Sequence, residues 1–273
     1  MKDIIHRRSI LYQRNNKKHL LLMVVIFLTA ILVIVTPLLH DTSARRLSPT
    51  IAASLPNPQP HPLPPSLEKW QDIPQAGDYF SMIKETPVGY LVWSEFPVKI
   101  YLEKPQNINE ISASLERFQT WVKAVLETIE EWNIYLPLEV VNEPEIADIT
   151  ILRSRPPIQP TFNQETGKFD IPRARTAETR YEFYLKSTEN GEKILSHKMT
   201  IFLSPDQSLD YTIATSRHEL GHALGIWGHS PLETDALYFS QVRNPPKISA
   251  RDINTLKVIY QQPTRLGWEI VDS

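Results

Sequence analysis

The chain has 273 residues, 41% of them hydrophobic, and a formal net charge of -2. This length and hydrophobic content suit a sizeable globular domain with additional segments and exclude a disordered protein, and the near-neutral charge argues against binding of nucleic acid. Because the sequence contains no cysteine, it also excludes a disulfide framework, a cysteine nucleophile and a cysteine-ligated zinc site.

The first 39 residues have the pattern of a membrane anchor. Residues 1–19 carry six basic side chains and a single acidic one, whereas residues 20–39 carry no charge. A helix of about twenty residues spans about 30 Å, the thickness of the hydrocarbon layer of a bilayer. The basic flank places the N-terminus in the cytoplasm and the rest of the chain on the outer, periplasmic or extracellular, side. The alternative is a signal peptide cleaved near Ala44, which would give a secreted protein.

Proline dominates the next segment, residues 40–76. Proline fixes its φ angle and lacks a backbone N–H, so this density disfavours helices and central strands and favours extended polyproline II. We therefore expect a semi-rigid stalk. A propeptide lying in an active-site cleft and a ligand for a proline-recognising module are the alternatives.

Residues 77–273 show the strand and helix patterns of an α+β domain. A long helix is predicted to begin at Asn107 or Asn109 and to run to Trp132, because apolar residues recur there every three or four positions and form one stripe. Alternation and β-branched residues predict strands within residues 90–102, 138–141 and 147–153.

Residues 155–180 have the prolines and the glycine that are typical of a loop. Three arginines in this loop have two interpretations, since they are either solvated surface residues or contacts for an acidic peptide substrate. They are Arg173, Arg175 and Arg180.

A β-hairpin follows this loop. Its strands, residues 181–186 and 194–203, flank Asn190-Gly191, a dipeptide that suits a tight hairpin turn. One of the strands is a candidate for the sheet edge on which an extended peptide lies. His197 falls within the second strand, and without a spaced partner it is expected to be packed or exposed rather than a metal ligand.

The stretch from His218 to His229, HELGHALGIWGH, has the pattern of a zinc site with a general base. His218 and His222 are four residues apart, so they lie on one face of a helix and can bind a single ion. Glu219 lies beside the metal, where a carboxylate can take a proton from a water molecule. Gly225 then permits a left-handed turn out of the helix, so that His229 can return as a third ligand.

This stretch and the following turn DALY, residues 235–238, resemble a known family, the metzincin metalloproteases, and in particular its matrixin-like branch. The family pattern is H-E-x-x-H-x-x-G-x-x-H followed by a methionine-containing turn. Ser230 follows the third histidine, as in matrixins. His229 arrives one residue late, at a place after the helix where Gly228 can absorb the insertion. Leu237 stands where the family usually has methionine, a nearly volume-conserving change.

The resemblance implies an α+β, zincin-like fold. Such a fold has a twisted mixed β-sheet, two long helices of which one carries the zinc motif, and a small irregular C-terminal lobe that ends in a helix. The resemblance also implies one catalytic Zn²⁺, held by His218, His222 and His229, with Glu219 as the general base.

The turn after the motif carries three further candidate residues. By resemblance, Leu237 packs beneath the zinc, and Tyr238 either walls the substrate pocket or is an ordinary packed aromatic residue. Asp235 is the substitute ligand if the extra residue draws His229 away.

A capping box predicts the C-terminal helix. Ser249 and Asp252 occupy its two positions, and Ile248 and Ile253 occupy those of a hydrophobic staple. The helix is expected to end before Pro263.

Three functional hypotheses are consistent with these features. The first is a zinc metalloendopeptidase that hydrolyses peptide or protein substrates and is either anchored in the lipid bilayer through residues 20–39 or exported. The second is a catalytically silent zincin-like domain that binds peptides or matrix. The third is a structural helix with incidental histidines. A calcium site is compatible with the sequence, although no motif indicates one, and the sequence carries no signal for the oligomeric state.

Overall fold

A mixed five-stranded β-sheet forms the framework of the region that the structure describes. The structure is a computed structural model, and it describes residues 55–106 and 112–270. The strands in chain order are β1 (Val98–Leu102), β2 (Leu138–Val141), β3 (Ile149–Leu152), β4 (Thr161–Asn163), β5 (Lys168–Asp170), β6 (Ala177–Ser187) and β7 (Lys193–Leu203).

The sheet has the strand order β2-β1-β3-β7-β6. β1 pairs in parallel with β2 and β3, β3 pairs in parallel with β7, and β6 runs antiparallel to β7. β6 is therefore an edge strand of this sheet. β4 and β5 form a separate two-stranded hairpin.

Helices cover part of this sheet. They are α1 (Pro65–Lys69), α2 (Ala113–Asn133), α3 (Leu209–Ala223) and α4 (Ala250–Tyr260), with short 3-10 turns at Phe80–Met82 and Pro144–Ile146. α2 packs on α3, and α3 also packs on β6 and β7. The helix that carries the histidine motif is thus held on two sides.

Trp132 joins α2 to α3. Its side chain is fully buried, and its indole Nε1 donates a hydrogen bond to the carbonyl oxygen of Arg217 at 3.0 Å. The Arg217 side chain in turn binds both carboxylate oxygens of Glu131, at 2.6 and 2.8 Å. Because truncation of a buried tryptophan typically costs about 3–5 kcal/mol, this contact strongly stabilises the position of α3.

The predicted α+β class is confirmed, and most predicted elements are present. The strand predicted at 138–141 is β2, the one at 147–153 is shortened to β3, and only the last five residues of 90–102 form β1. The cap of the long helix was predicted at the wrong residue. Ser112 caps α2 because its hydroxyl oxygen accepts a hydrogen bond from the Leu115 N–H at 3.2 Å. Asn107 and Asn109 lie outside the described residues.

The hairpin predicted around Asn190-Gly191 is confirmed as β6 and β7. β6 begins at Ala177, earlier than predicted, because residues 177–180 pair with residues 200–203 of β7. The loop prediction for residues 155–180 is wrong in part, since this segment also contains the small hairpin β4–β5.

The described part of the proline-rich segment, residues 55–76, packs on the domain instead of extending away from it. Leu67 of α1 is fully buried, Gln59 exchanges two backbone hydrogen bonds with Thr264, and the Trp70 indole donates to the Asn254 side chain at 2.8 Å. The folded region therefore includes residues before 77, and the stalk predicted for residues 40–54 lies outside the described part of the chain.

The predicted membrane anchor, residues 20–39, also lies outside the described residues. Within residues 55–106 and 112–270, no helix is long and apolar enough to cross a membrane. Anchorage through residues 20–39 stays a prediction from the sequence.

His197 on β7 is packed in the core, as expected. It is 3% exposed, and its ring stacks on Trp93 with the ring centroids 3.8 Å apart. Its Nε2 is buried and has no hydrogen-bond partner. Burial lowers the pKa of His197 to about 3. The imidazole is therefore neutral in the folded protein near pH 7.

We predict that burial of His197 makes the folded protein less stable in mild acid. The unfolded chain binds a proton at this residue below pH 6.5, whereas the folded protein binds it only near pH 3, so the free energy of unfolding falls as the pH drops through this window. Between pH 7 and pH 5, His197 alone should lower the free energy of unfolding by about 2 kcal/mol.

Urea unfolding at the two pH values, on the unmutated chain and on His197→Phe, measures this effect. Phenylalanine keeps the stacking on Trp93 but cannot ionise, so the variant should lose less stability on acidification. The difference in lost stability between the two proteins separates the effect of His197 from that of the surrounding ionisable groups, which are Glu95, Asp148, Tyr184 and Lys186. An equal loss of stability in both proteins would contradict the prediction.

Candidate metal centre

Three imidazoles converge at the C-terminal end of α3. His218 and His222 lie one turn apart on the helix, and His229 follows after an irregular segment. One ring nitrogen from each residue lies within 4.8 Å of the others. The Nε2 atoms of His218 and His222 are 3.1 Å apart. Two nitrogens bound to one tetrahedral zinc ion are separated by about 3.3 Å, so the spacing fits a shared metal.

Hydrogen bonds on the far side of two rings fix which nitrogen is free to bind a metal. His218 Nδ1 lies 2.9 Å from the carbonyl oxygen of Ala236, and His222 Nδ1 lies 2.7 Å from that of Ile226. A carbonyl oxygen only accepts, so each Nδ1 carries the proton and donates. Each Nε2 then presents a lone pair, which is the arrangement that metal-binding histidines require.

The surroundings keep the imidazoles of His222 and His229 neutral. The pKa of His222 is well below its ordinary value because of burial and then of repulsion from His218. The pKa of His229 is lowered to about 4 by burial, with smaller contributions from His218 and Lys84. Neutral imidazole is the form that binds a metal, so this site is prepared for a cation at neutral pH.

Two glycines let the chain bring His229 back to the helix. Gly225 has a φ of +126°, and a Cβ there would lie 2.5 Å from the carbonyl oxygen of Leu91. At Gly228 a Cβ would overlap the carbonyl oxygen of Met82, since Gly228 pairs with Ile83. The structure therefore brings His229 into the cluster although it stands one residue later than in the family pattern.

Asp235 was considered as a substitute ligand, but it does not join the histidines. It is 1% exposed, and its Oδ2 accepts hydrogen bonds from the Ser230 hydroxyl at 2.5 Å and from Arg251 Nε at 3.1 Å. These bonds hold the carboxylate in the turn. Among the described residues the group that is positioned to hold a metal ion consists of His218, His222 and His229.

Leu237 and Tyr238 occupy different parts of this turn. Leu237 is fully buried, and its Cδ2 would lie 2.6 Å from a Cβ at Gly221, so the turn packs directly beneath α3. A side chain at position 221 would also lie 3.1 Å from the Trp132 ring. Tyr238 is half-buried and contributes to the wall of the cleft above the histidines.

Asp252 holds this turn in place and so orients His218. The capping box at Ser249 is confirmed, with Asp252 accepting from the Ser249 N–H at 2.8 Å. The same carboxylate accepts from the Ala236 N–H at 2.9 Å and from the Tyr79 hydroxyl at 2.6 Å. The carbonyl of Ala236 is the acceptor for His218, and the Leu237 N–H of the same peptide unit donates to Asp252 Oδ1 at 3.4 Å, so Asp252 fixes the peptide that orients His218. The sequence signalled only the capping role.

Glu219 lies beside the histidines, and a residue of β6 holds its carboxylate. It is 8% exposed, and its Oε2 accepts a hydrogen bond from the Thr179 hydroxyl of β6 at 2.6 Å. Burial raises the pKa of Glu219, while His218 and the hydrogen bond from Thr179 oppose this shift. Sequence analysis missed Thr179, because a single threonine in a strand has no distinguishing pattern.

A cleft of about 760 Å³ opens above these residues. Its walls include the start of β6, the loop before β6 and the segment that follows the histidine cluster. Of the three loop arginines, Arg175 lines the cleft, Arg173 is exposed elsewhere on the segment, and Arg180 binds Glu178 at 3.0 Å. The three histidines, Glu219 and Tyr238 all line this one cleft.

We predict that Asp252→Asn weakens zinc binding about 10–100-fold, the usual effect of losing a partner of a ligating histidine. An amide offers one acceptor oxygen where the carboxylate binds several donors, so the Ala236 peptide loses its anchor. Competition with a chromophoric chelator measures the affinity. Glu116→Gln, which changes the same chemistry in the first turn of α2, should leave it unchanged; equal affinities in both variants would contradict the prediction.

Neither a scan against protein-family models nor a search of curated proteins finds a match to this chain. The chemistry of the cleft and the geometry of its residues are therefore the grounds on which a function is assigned.

Proposed function

We propose that this protein is a zinc metalloendopeptidase. The observation that carries the proposal is the placement of three imidazoles around one point, with the carboxylate of Glu219 beside them, in an open cleft. Histidine nitrogens in this number favour zinc over calcium or magnesium, which prefer oxygen ligands. Three protein ligands also leave a coordination position for a water molecule or substrate, which is typical of catalytic zinc sites.

In this proposal each residue has a defined task. His218, His222 and His229 would hold a zinc ion, which would supply a Lewis acid for the scissile carbonyl and would lower the pKa of a water molecule to about 7. Glu219 takes a proton from the attacking water and later passes it to the leaving amine nitrogen. The Thr179 hydroxyl holds the Glu219 carboxylate in position for both transfers.

The proposed substrate is a polypeptide bound along the edge of the sheet. Residues 177–179 of β6 line the cleft, and β6 is an edge strand whose only neighbour in the five-stranded sheet is β7. An extended peptide can add to such an edge through main-chain hydrogen bonds, which bind any sequence. This arrangement supports cleavage within a chain rather than of a small molecule.

A metzincin-like fold, matrixin-like in particular, is also part of the proposal. It is supported by the mixed sheet, by the two longest described helices α2 and α3, and by an irregular segment after α3 that ends in α4. The buried turn at Leu237 beneath α3 supports it further. Anchorage through residues 20–39, with the domain on the outer side of a membrane, or export after cleavage near Ala44, belongs to the same proposal.

We predict that the full chain binds one zinc ion. His229→Ala should weaken this binding by more than the ~10–100-fold that is usual for losing a hydrogen-bond partner of a ligand. His61→Gln removes a histidine that stacks on Trp268 and is the matched control. Titration calorimetry measures affinity and stoichiometry together. Unchanged affinity in His229→Ala would exclude this residue as a ligand.

We predict that Glu219→Gln lowers the rate of peptide hydrolysis by about 10²–10⁴-fold while zinc binding persists, because the amide cannot accept the proton. A mixed peptide library with mass-spectrometric detection of products measures the activity, and Glu192→Gln, an exposed change in the β6–β7 turn, is the control. Stoichiometric zinc without hydrolysis by the unmutated chain would favour the catalytically silent binding domain. If the purified protein contains no zinc and chelators do not change its stability, the result would favour a structural helix with incidental histidines.

A further inference from the structure

An exposed apolar hairpin closely precedes, along the chain, the segment that lines the cleft. β4 and β5 place Phe162 opposite Phe169, and the two rings meet edge to face with centroids 5.3 Å apart. These side chains are 54% and 65% exposed, and the neighbouring Ile158 and Ile171 are 54% and 70% exposed. Such a concentration of large exposed apolar side chains marks an interaction surface, whereas scattered ones do not. We call residues 158–171 the aromatic hairpin.

Hydrogen bonds give the aromatic hairpin a defined shape. The Asn163 side-chain oxygen accepts from the backbone N–H groups of Glu165 and Thr166, at 3.0 and 3.1 Å, and so closes the turn. The Asn163 amide also donates to Asp170 across the strands at 3.1 Å. A two-stranded hairpin gains little stability by itself, so an apolar face left exposed on one is best explained by a partner that covers it.

The C-terminal end of the aromatic hairpin continues into the wall of the cleft. Residues 174–176 join β5 to β6 and line the cleft, and the Ser204 N–H holds the Thr176 carbonyl at 2.9 Å. β6 then begins at Ala177, and its first three residues line the same cleft. Ile171 at the end of the hairpin is three residues from Ala174 in the wall of the cleft, so the two residues lie within about 11 Å of each other.

The charges of the aromatic hairpin favour a polypeptide over a lipid surface. Lys168 is its one basic residue, whereas Glu165 and Asp170 are acidic, and all three are exposed. An anionic membrane surface selects clusters of basic residues of one sign. A mixed-charge rim around apolar side chains resembles a protein-binding surface instead.

We propose that the aromatic hairpin is an exosite that binds an extended apolar segment of an unfolded polypeptide substrate outside the cleft. This inference rests on the proposed function of the cleft, and it adds a substrate class to it. A long unfolded chain contacts both the edge of β6 and the hairpin, whereas a peptide of a few residues contacts the cleft alone. The protein should therefore favour unfolded proteins over short peptides.

The test compares two substrates on the full chain, with all proteins in the same non-ionic detergent. One is reduced and carboxymethylated lactalbumin, which stays unfolded, and the other is a short peptide that the chain cleaves. Phe162→Ser/Phe169→Ser should raise KM for the unfolded protein about tenfold and leave kcat/KM for the peptide unchanged. The matched control is Ile73→Ser/Ile134→Ser, two exposed apolar residues elsewhere, 86% and 69% exposed, which should change neither.

A binding measurement separates this inference from the proposed activity. Fluorescence anisotropy measures the binding of fluorescein-labelled carboxymethylated lactalbumin to two proteins, Glu219→Ala and Glu219→Ala that also carries Phe162→Ser/Phe169→Ser. The two phenylalanine changes should weaken this binding about tenfold. If the unmutated chain cleaves nothing but this loss is seen, the protease assignment fails and the exosite stands. Equal binding by both proteins overturns the exosite. If binding is equal but the phenylalanine changes reduce co-sedimentation with phosphatidylglycerol vesicles, the exosite is overturned in favour of a lipid contact.

Discussion

The hydrogen bonds from His218 to Ala236 and from His222 to Ile226 are the constraint on which the cleft depends. A histidine at the end of a helix can rotate about two side-chain bonds, and only one orientation directs its Nε2 towards a shared ion. The two carbonyl acceptors select that orientation and the tautomer in one step. Both acceptors lie in irregular chain beyond α3, so the path of this chain determines the geometry of the ligands.

The irregular chain is held by distant parts of the fold. Asp252 at the start of α4 binds the Ala236 N–H, and the Tyr79 hydroxyl binds Asp252 from the segment that precedes β1. The Lys84 N–H binds the carbonyl of Trp227 at 2.9 Å, close to Gly228. Residues 79–84 thus contact both the turn that orients His218 and the approach to His229. The N-terminal part of the domain supports the cleft although it contributes no metal ligand.

The sequence predicted the parts of this structure that depend on local spacing. Four-residue periodicity placed His218 and His222 on one helix face, Asn190-Gly191 placed the β6–β7 hairpin, and the Ser249 capping box began α4. The roles of Thr179 and of Asp252 towards the metal centre could not be predicted. Each depends on contact between elements distant in sequence, 40 residues apart for Thr179 and Glu219 and 16 for Asp252 and Ala236.

Proline content does not predict how residues 55–76 pack, and the reason is physical. Proline disfavours helix interiors and central strands, but it is tolerated in the first turn of a helix, where α1 begins with Pro65, and an extended chain can still pack its apolar side chains. Here Leu67 is buried and the His61 ring stacks on Trp268 with centroids 4.4 Å apart. Composition reports local backbone preference and does not report what the chain lies against.

The extra residue before His229 shows where the motif tolerates change. An insertion between His218 and His222 would rotate one ligand by about 100° around the helix and separate the two nitrogens. An insertion after Gly225 lengthens only the connection, and its accommodation requires room for the backbone. That room exists because Gly228 has no side chain and lies against Met82 and Ile83, where any Cβ would overlap backbone atoms. Glycine at 228 and the packed segment 82–83 are therefore a matched pair, and a change to either should displace His229 before it affects the two histidines on α3.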